Sequence, residues 1–392
     1  WIWMGNNMSE KQVGSKSNKT FMILSAFGIV MLLDAHTWTT VNIFANIIEY
    51  NSFFMPLFVF ISGYFFSEGS LENMPGLVMK KTKKFMMPFL FWGFFYLGLE
   101  RLMDHLGIIR YEQEVGIAEG LHRAFTTGQI CNLAGPLWFL PASYFTQLIY
   151  AFVRRGFRKI WNEWLALLIF IIAGCASISL SNSGWNTWQD GALLIPLKVA
   201  FFLQFYQLGV VYKKYLEEFH KKASNCVVLL STIIGSIIVL AANGGNDSFI
   251  DLFAMTGFWN IKCVVFPLLT SVLGITFWLT VSRILEPAIG ESKVVNKISD
   301  NTLGILEHHL FCYNVLNLLF WGISLLDKSG TIVFDVEMFQ SWAVYRYEPF
   351  KQFGVFYIIV GIAGSLLIVS GTERIKKSLP GRKSEHNKLK KL

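Results

Sequence analysis

Residues 21–40, FMILSAFGIVMLLDAHTWTT, form an apolar run long enough to cross a bilayer as a helix. Two ionisable side chains, Asp34 and His36, interrupt its second half. Burying such groups in hydrocarbon is costly, so a spanning helix that carries them is expected to turn them toward an internal cavity. The alternative is that His36 forms hydrogen bonds at the membrane interface, beside Trp38 and Thr39. The run predicts a membrane helix with a candidate functional histidine.

Apolar runs of similar length recur along the chain. Hydrophobic residues make up 53% of the 392 residues and charged residues only 15%, which is typical of a polytopic membrane protein. Lipid offers no hydrogen-bond partner to an open backbone, so each crossing segment is expected to be a helix. We predict an all-α integral membrane protein with about ten transmembrane helices, at residues 21–40, 53–68, 85–103, 136–153, 160–180, 192–212, 224–242, 259–282, 302–326 and 352–372.

The basic residues predict the orientation of the chain. With a cytoplasmic N-terminus, 26 of the 34 Lys and Arg residues fall in the N-terminal segment, the inner loops and the tail, as the positive-inside rule requires. The even number of spans then leaves both termini in the cytoplasm. The predicted organisation is a leader at residues 1–20, one membrane domain at residues 21–372 and a basic cytoplasmic tail at residues 373–392.

Charge and cysteine content argue against other classes. Topology accounts for the net charge of +8 without a nucleic-acid partner. The five cysteines lie mostly within predicted spans at no metal-ligand spacing, so neither a disulfide framework nor a metal site is predicted. The first long apolar run is followed by another span and not by a small-residue cleavage site, so no cleavable signal peptide is predicted.

Four lysines stand at the inner mouth of the third predicted span. Lys80, Lys81, Lys83 and Lys84 lie within five consecutive positions. Their ammonium groups could neutralise a multiply charged phosphate ligand that approaches from the cytoplasm. The alternative is that they only hold this loop in the cytoplasm by their positive charge.

The second and fourth predicted spans contain three further candidate residues. Ser62 and Gly63 are small residues in a bulky helix, so they allow close approach of either a ligand or a neighbouring helix. Trp138 lies between two prolines at the start of the fourth span and, taken alone, is typical of an interfacial anchor.

The ninth predicted span contains a cluster of ionisable residues. Glu307, His308 and His309 lie about two turns from its cytoplasmic start. Adjacent residues in a helix point about 100° apart, so at most one of the two histidines can fully share a cavity with Glu307. We predict that one histidine is functional and the other structural.

Taken together, these stretches resemble the acyltransferase-3 family of membrane proteins. The branch that acetylates sugars, similar to fucose O-acetylases and to the intercellular-adhesion polysaccharide proteins, is nearest. The resemblance covers most of the chain and rests on the order and spacing of five stretches: VMLLDAH at 30–36, MPLFVFISGY at 55–64, the basic run 80–84 leading into Pro88, LWFL at 137–140 and LEHHL at 306–310.

The resemblance implies an enzyme of the bacterial cell membrane, an acyltransferase acting on groups other than aminoacyl groups. Acetyl-CoA or another acyl-CoA would act as co-substrate with no metal, and the acceptor would be a carbohydrate hydroxyl. His36 would be general base or nucleophile, and Asp34 would orient it. The four lysines, with Ser62 and Gly63, would contact acyl-CoA. The implied acceptor and thioester contacts are Glu307, His308, His309 and Trp138.

One position departs from the family pattern. The family places an arginine eleven residues before the first-span histidine, three turns lower on the same helix face. In this chain that position is Ser25, and the nearest upstream basic residue, Lys19, lies off that face. Either the lysines at 80–84 take over the anionic contacts, or this chain has lost or altered the chemistry.

Buried charges are equally expected in a protein that moves a ligand across the membrane. The main alternative is therefore a transporter or flippase of a lipid-linked or nascent polysaccharide. A proton-coupled carrier of small molecules and a sensor protein are further alternatives. No inverted repeat of the kind found in many transporters is visible in the sequence.

Overall fold

The computed structural model describes residues 18–37, 46–110, 115–185, 193–245, 250–251, 256–257, 261–331, 333–342 and 354–378. Most of the predicted leader and most of the predicted tail lie outside these residues, as do Trp38 and Thr39. The helices in chain order are α1 Lys19–Thr37, α2 Tyr50–Tyr64, α3 Met74–Lys81, α4 Met87–His105, α5 Ile117–Thr126, α6 Phe139–Gly156, α7 Glu163–Leu180, α8 Leu194–Val211, α9 Glu217–Lys222, α10 Asn225–Ala242, α11 Phe266–Ile289, α12 Lys293–Asp300, α13 Thr302–Leu326, α14 Val336–Ser341 and α15 Gly354–Ser378.

Short segments of other geometry join some of these helices. Three π-helical segments cover Thr82–Met86, Ser181–Trp185 and Tyr212–Leu216, and a 3₁₀ turn covers Gly135–Trp138. Two two-residue strands, β1 Ile250–Asp251 and β2 Thr256–Gly257, pair antiparallel between α10 and α11. Helices dominate the rest of the described part, which confirms the predicted all-α membrane fold.

Seven helices of the described part are long and apolar enough to cross a membrane: α1, α7, α8, α10, α11, α13 and α15. They correspond to seven of the ten predicted spans. The other three predicted spans correspond to α2, which has only 15 residues, to α4, whose end carries Glu100, Arg101 and Asp104, and to α6, which ends with Arg154 and Arg155. The count of ten spans and the cytoplasmic location of both termini remain predictions.

Helix α1 lies at the centre of the helix bundle, in contact with α2, α11, α12, α13 and α15. This position agrees with its sequence, because α1 has apolar side chains around its whole circumference and buries residues on several sides. The ionisable residues near its end are therefore held inside the protein. The expectation that Asp34 and His36 face the interior and not lipid is consistent with this placement.

The crossing of α2 and α8 depends on two glycines. A Cβ atom at Gly63 would lie 1.9 Å from the carbonyl oxygen of Tyr206, and one at Gly209 would lie 2.2 Å from that of Phe60. The two backbones are thus in direct contact, and no larger residue fits at either position. This contact agrees with the helix-packing interpretation of Gly63. It leaves no room for a ligand where a Cβ atom of Gly63 would lie.

Helices α12 and α13 together rise beside α1. Contacts of Lys19 with Glu291 and of Thr20 with Glu286 join the start of α1 to the end of α11, and α12 then packs along α1. His36 lies 17 residues after Lys19, and the ionisable cluster of α13 begins 16 residues after Glu291. Two segments of nearly equal length therefore lead from this junction to His36 and to the α13 cluster.

Candidate active site

His36 and His309 form a hydrogen-bonded pair. Nε2 of His309 lies 2.9 Å from Nδ1 of His36, and the two rings are stacked with centroids 5.0 Å apart. His309 is fully buried, whereas His36, at the end of α1, is partly exposed. The cluster lies within the first two turns of α13, as the sequence predicts for the ninth span, and the cytoplasmic location of this end of the helix remains a prediction.

The hydrogen bonds of His309 fix the tautomers of both rings. Its Nδ1 lies 3.0 Å from the carbonyl oxygen of Ile305 and 3.1 Å from that of Leu306. A carbonyl oxygen only accepts hydrogen bonds, so Nδ1 of His309 carries the proton and its Nε2 is an acceptor. His36 must then donate from Nδ1, which leaves a lone pair on Nε2 of His36.

Asp34 lies two residues before His36, about half a helical turn away, in a buried position. Its side chain is 1% exposed and lies close enough to the Tyr313 hydroxyl to act on it electrostatically. The Tyr313 hydroxyl itself donates to the carbonyl oxygen of Leu33 at 3.1 Å. The partner that orients the His36 ring in the described structure is His309, so a direct orienting role of Asp34 remains a prediction.

His308 points to a different helix from its neighbour, as the helical geometry predicts. Its Nδ1 lies 2.7 Å from the hydroxyl of Tyr96 in α4, and the ring packs edge-on against Trp92. On the other side, Nε2 of His308 lies 3.9 Å from a carboxylate oxygen of Glu307. Tyr96, His308 and Glu307 are almost fully buried, and Trp92 is partly buried.

Trp138 packs inside the protein. It is 6% exposed, its ring stacks on Phe202, and the ammonium of Lys198 lies 4.3 Å from the ring centroid. The 3₁₀ turn that contains Trp138 contacts α13, and a Cβ at Gly135 would meet Leu310 at 3.8 Å. Trp138 therefore belongs to a wall beside the ionisable cluster, and its predicted contact with substrate stays a prediction.

Lys198 and Tyr96 are notable residues that sequence reasoning did not select. Lys198 is fully buried and donates to the carbonyl oxygen of Thr127 at 3.3 Å. A lysine inside a predicted span is itself a functional signal, so the sequence did contain a clue to it. Tyr96 stands among many aromatic residues of α4, and no sequence pattern distinguished it from them.

The four lysines at the inner mouth are not equivalent. Lys80 and Lys83 are exposed, whereas Lys81 and Lys84 are half-buried on the inner face of the helix. Lys81 contacts the side chain of Gln147 in α6. The π-helical segment that carries Lys84 widens the helix at this point, a distortion found frequently at functional sites.

The inward position changes the acidity of two ammonium groups. Burial, and next the charge of Lys80, lower the pKa of Lys81 to about 8. Burial, and then the charges of Lys81 and Lys80, lower the pKa of Lys84 to about 7. A polyphosphate beside these two residues would relieve both effects, so the pair is suited to bind an anion near neutral pH.

Ser62 and Ser25 have less distinctive surroundings. The hydroxyl of Ser62 donates to the carbonyl oxygen of Phe58 at 2.9 Å, and its side chain is half-buried. Ser25 is also half-buried, three turns below His36 on α1. Neither arrangement identifies a ligand, so a contact of Ser62 with acyl-CoA remains a prediction.

The ionisable cluster also bears on the question of a metal. In the part of the chain that the structure describes, no group of three His, Cys, Asp or Glu side chains is placed to hold a metal ion. The clustered histidines instead bond to each other, to backbone carbonyls and to a tyrosine. Such an arrangement is suited to moving protons.

Comparison with protein-family models identifies the family of the chain. A family model described as an acyltransferase domain, of the acyltransferase-3 type, matches residues 22–372. The chain belongs to the acyltransferase-3 family. The match begins in the first turn of α1 and ends in α15, so it includes His36, the α13 cluster and the lysines at the inner mouth. Comparisons with curated proteins and with solved structures found no match.

Proposed function

We propose that this acyltransferase is an O-acyltransferase of the bacterial cell membrane. It would move an acetyl or other acyl group from cytosolic acyl-CoA to a hydroxyl of a carbohydrate acceptor, such as an exopolysaccharide or a cell-surface glycan. Membership of the acyltransferase-3 family supports the reaction class. The donor, the acceptor and the membrane are inferred from the lysines at the inner mouth and from the resemblance to sugar O-acetylases.

The observation that carries the proposal is the 2.9 Å contact between His36 and His309. The hydrogen bonds of His309 leave the lone pair of His36 on Nε2, the nitrogen remote from the pair. A neutral imidazole with a free, oriented nitrogen is suited to act as a general base or as a nucleophile near neutral pH. Both mechanisms stay open, and both use the same atom.

The general-base route illustrates the chemistry. Nε2 of His36 accepts the proton of the acceptor hydroxyl while its oxygen attacks the thioester carbonyl. The carbon–sulfur bond then breaks, the ester forms, and the proton passes to the leaving thiolate to give free CoA. His309 holds the ring and accepts from Nδ1 throughout, so the imidazolium that forms transiently is stabilised by a fixed neighbour.

Other residues are assigned to binding and positioning. Lys81 and Lys84, with the exposed Lys80 and Lys83, would hold the phosphates of CoA at the inner mouth. Near the histidine pair, Asp34 would balance the positive charge that develops on His36. Side chains proposed to contact the thioester or the acceptor are Glu307, His308 and Trp138.

Acyl transfer across a sealed membrane would test this function. Membrane vesicles with the cytoplasmic face outward receive radiolabelled acetyl-CoA outside and hold a glycan acceptor inside. We expect label on the glycan with the unaltered protein and with His105→Ala, which changes an exposed histidine at the end of α4. His36→Ala should reduce the rate on the order of 100- to 10,000-fold, the usual contribution of a catalytic base.

Two results would contradict the proposal. Transfer by His36→Ala at the rate of the His105→Ala control would remove His36 from the reaction. Movement of unlabelled glycan across the membrane without label transfer would favour the transporter alternative.

A further inference from the structure

Helix α5 packs against the half of α4 remote from the lysines and carries an exposed apolar stripe. Ile117, Leu121 and Phe125 are 77%, 49% and 53% exposed. They lie four residues apart, so they occupy one face of this short helix. Three large apolar side chains exposed in succession are unfavourable in water and indicate a covering partner.

The other faces of α5 have different surroundings. Gly120 and Ala124 are buried, and a Cβ at Gly120 would meet Leu97 of α4 at 3.0 Å. The polar residues lie on the remaining side, where Arg123 donates to Glu119 at 2.7 Å. One face therefore packs on protein and one is polar. The apolar stripe lies between the packed face and the polar face.

The stripe continues an exposed apolar face of α4. Phe91, Phe95 and Leu102 of α4 are all more than half exposed and share one face of that helix. The α4 residues that α5 covers lie at the flank of this face, and Arg101 donates to the carbonyl oxygen of Val115 at 3.1 Å just before α5. Lipid that covers α4 would therefore extend onto α5.

We propose that α5 is an interfacial helix whose Ile117, Leu121 and Phe125 insert among lipid acyl chains at the membrane face opposite Lys80–Lys84. Its polar side would then meet water and headgroups. A short helix with a wide apolar face and a charged opposite face is suited to lie in the plane of the interface. Bilayer lipid is the partner, because the stripe adjoins the exposed apolar face of α4, which corresponds to one of the predicted spans.

This position has a consequence for the outer wall of the site. The chain leaves α5 at Thr127, whose carbonyl accepts from Lys198, and Gly128 has a φ of +79°. It then passes Leu133, whose backbone N–H donates to Glu100 at 2.5 Å, and enters the 3₁₀ turn against α13. An α5 held in the interface would fix the height of this loop.

Spin-label accessibility in lipid nanodiscs would test the proposal. The full-length protein, with the exposed Cys226 replaced by Ser, carries one spin label at Leu121→Cys or Phe125→Cys. His122→Cys, on the polar side of the same helix, is the matched control. Collision rates are measured with oxygen, which dissolves in lipid, and with a nickel chelate, which stays in water.

We expect the labels at 121 and 125 to show high oxygen and low nickel collision rates, and the label at 122 to show a nickel rate severalfold higher. Nickel rates at 121 and 125 equal to that at 122 would place the stripe in water and overturn the proposal. Low rates with both reagents at 121 and 125 would indicate that protein, such as a second copy, covers the stripe, which also overturns it. Elution of each variant as a folded monodisperse species validates the comparison.

Discussion

The tautomer of His36 is set by a histidine 273 residues away in the chain. The determining contacts are the two backbone carbonyls of α13 that accept from His309 Nδ1. They are available because carbonyls three and four residues earlier in a helix lie beneath the side chain. Two backbone carbonyls of α13 thus determine, through His309, which nitrogen of His36 in α1 carries the lone pair.

His309 can be tested as a positioning residue. The amide oxygen of Gln reaches about as far as Nε2 of His, so His309→Gln keeps an acceptor for His36 Nδ1, whereas His309→Leu removes it. We expect His309→Leu to lower kcat on the order of 100-fold, as for a misplaced catalytic group, with the KM for acyl-CoA little changed. His309→Gln should retain a larger part of kcat.

Steady-state acyl transfer in membranes measures both variants. Equal losses in His309→Gln and His309→Leu would mean that the acceptor function of His309 is unimportant. A loss confined to KM would indicate a role in donor binding.

The lowered pKa values of Lys81 and Lys84 predict how CoA binding depends on pH. Below pH 7 both ammonium groups are protonated in the free protein, and they become neutral as the pH rises through about 7 and about 8. A bound phosphate favours the charged forms, so binding takes up protons and the Kd for CoA should rise with pH over this range. Titration calorimetry at several pH values measures this dependence.

Matched double variants separate the inner and outer lysines. Lys81→Gln with Lys84→Gln should weaken CoA binding and flatten its pH dependence. Lys80→Gln with Lys83→Gln should keep the dependence and shift it to higher pH, because the charge of Lys80 lowers both inner pKa values. Identical pH profiles for the two double variants would refute a special role of the inner pair.

At the scale of elements, the contact between α2 and α8 restricts what the glycines can become. Gly63→Val places side-chain atoms onto the backbone of Tyr206. Overpacking typically lowers the free energy of unfolding by about 1–3 kcal/mol, so we expect a lower melting temperature for the detergent-solubilised protein. Gly98→Ala is the control, since a Cβ there meets nothing within 4 Å. Equal melting temperatures for the two variants would show that α2 and α8 separate easily.

Sequence reasoning succeeded where one helix carried its own signal. The apolar runs predicted the membrane helices, and intramembrane charge singled out His36 and the α13 cluster. It failed where two elements had to be placed against each other. Nothing in residues 293–301 indicates that α12 packs on α1 or that His309 meets His36. Helix periodicity alone did not separate Lys81 and Lys84 from their exposed neighbours.

At the scale of the whole molecule, the orientation of the bundle predicts which side each exposed surface faces. In the Cys226→Ser background, Lys83→Cys should react with a membrane-impermeant thiol reagent only from the cytoplasm. Lys328→Cys, which follows the far end of α13, should react only from the opposite side. Both positions are exposed. Labelling of both from one side in intact cells would refute the predicted topology.

Helices α12 and α13 both pack beside α1. The number of residues before His309 is therefore as important for the contact with His36 as the identity of the residue. Deleting one residue near Asn301 would turn α13 by about 100° and shift it by about 1.5 Å relative to α1. His309 would then rotate away from His36 and another side chain would take its place. Natural variants of this chain should therefore tolerate insertions in their outer loops and exclude them between Glu291 and His309.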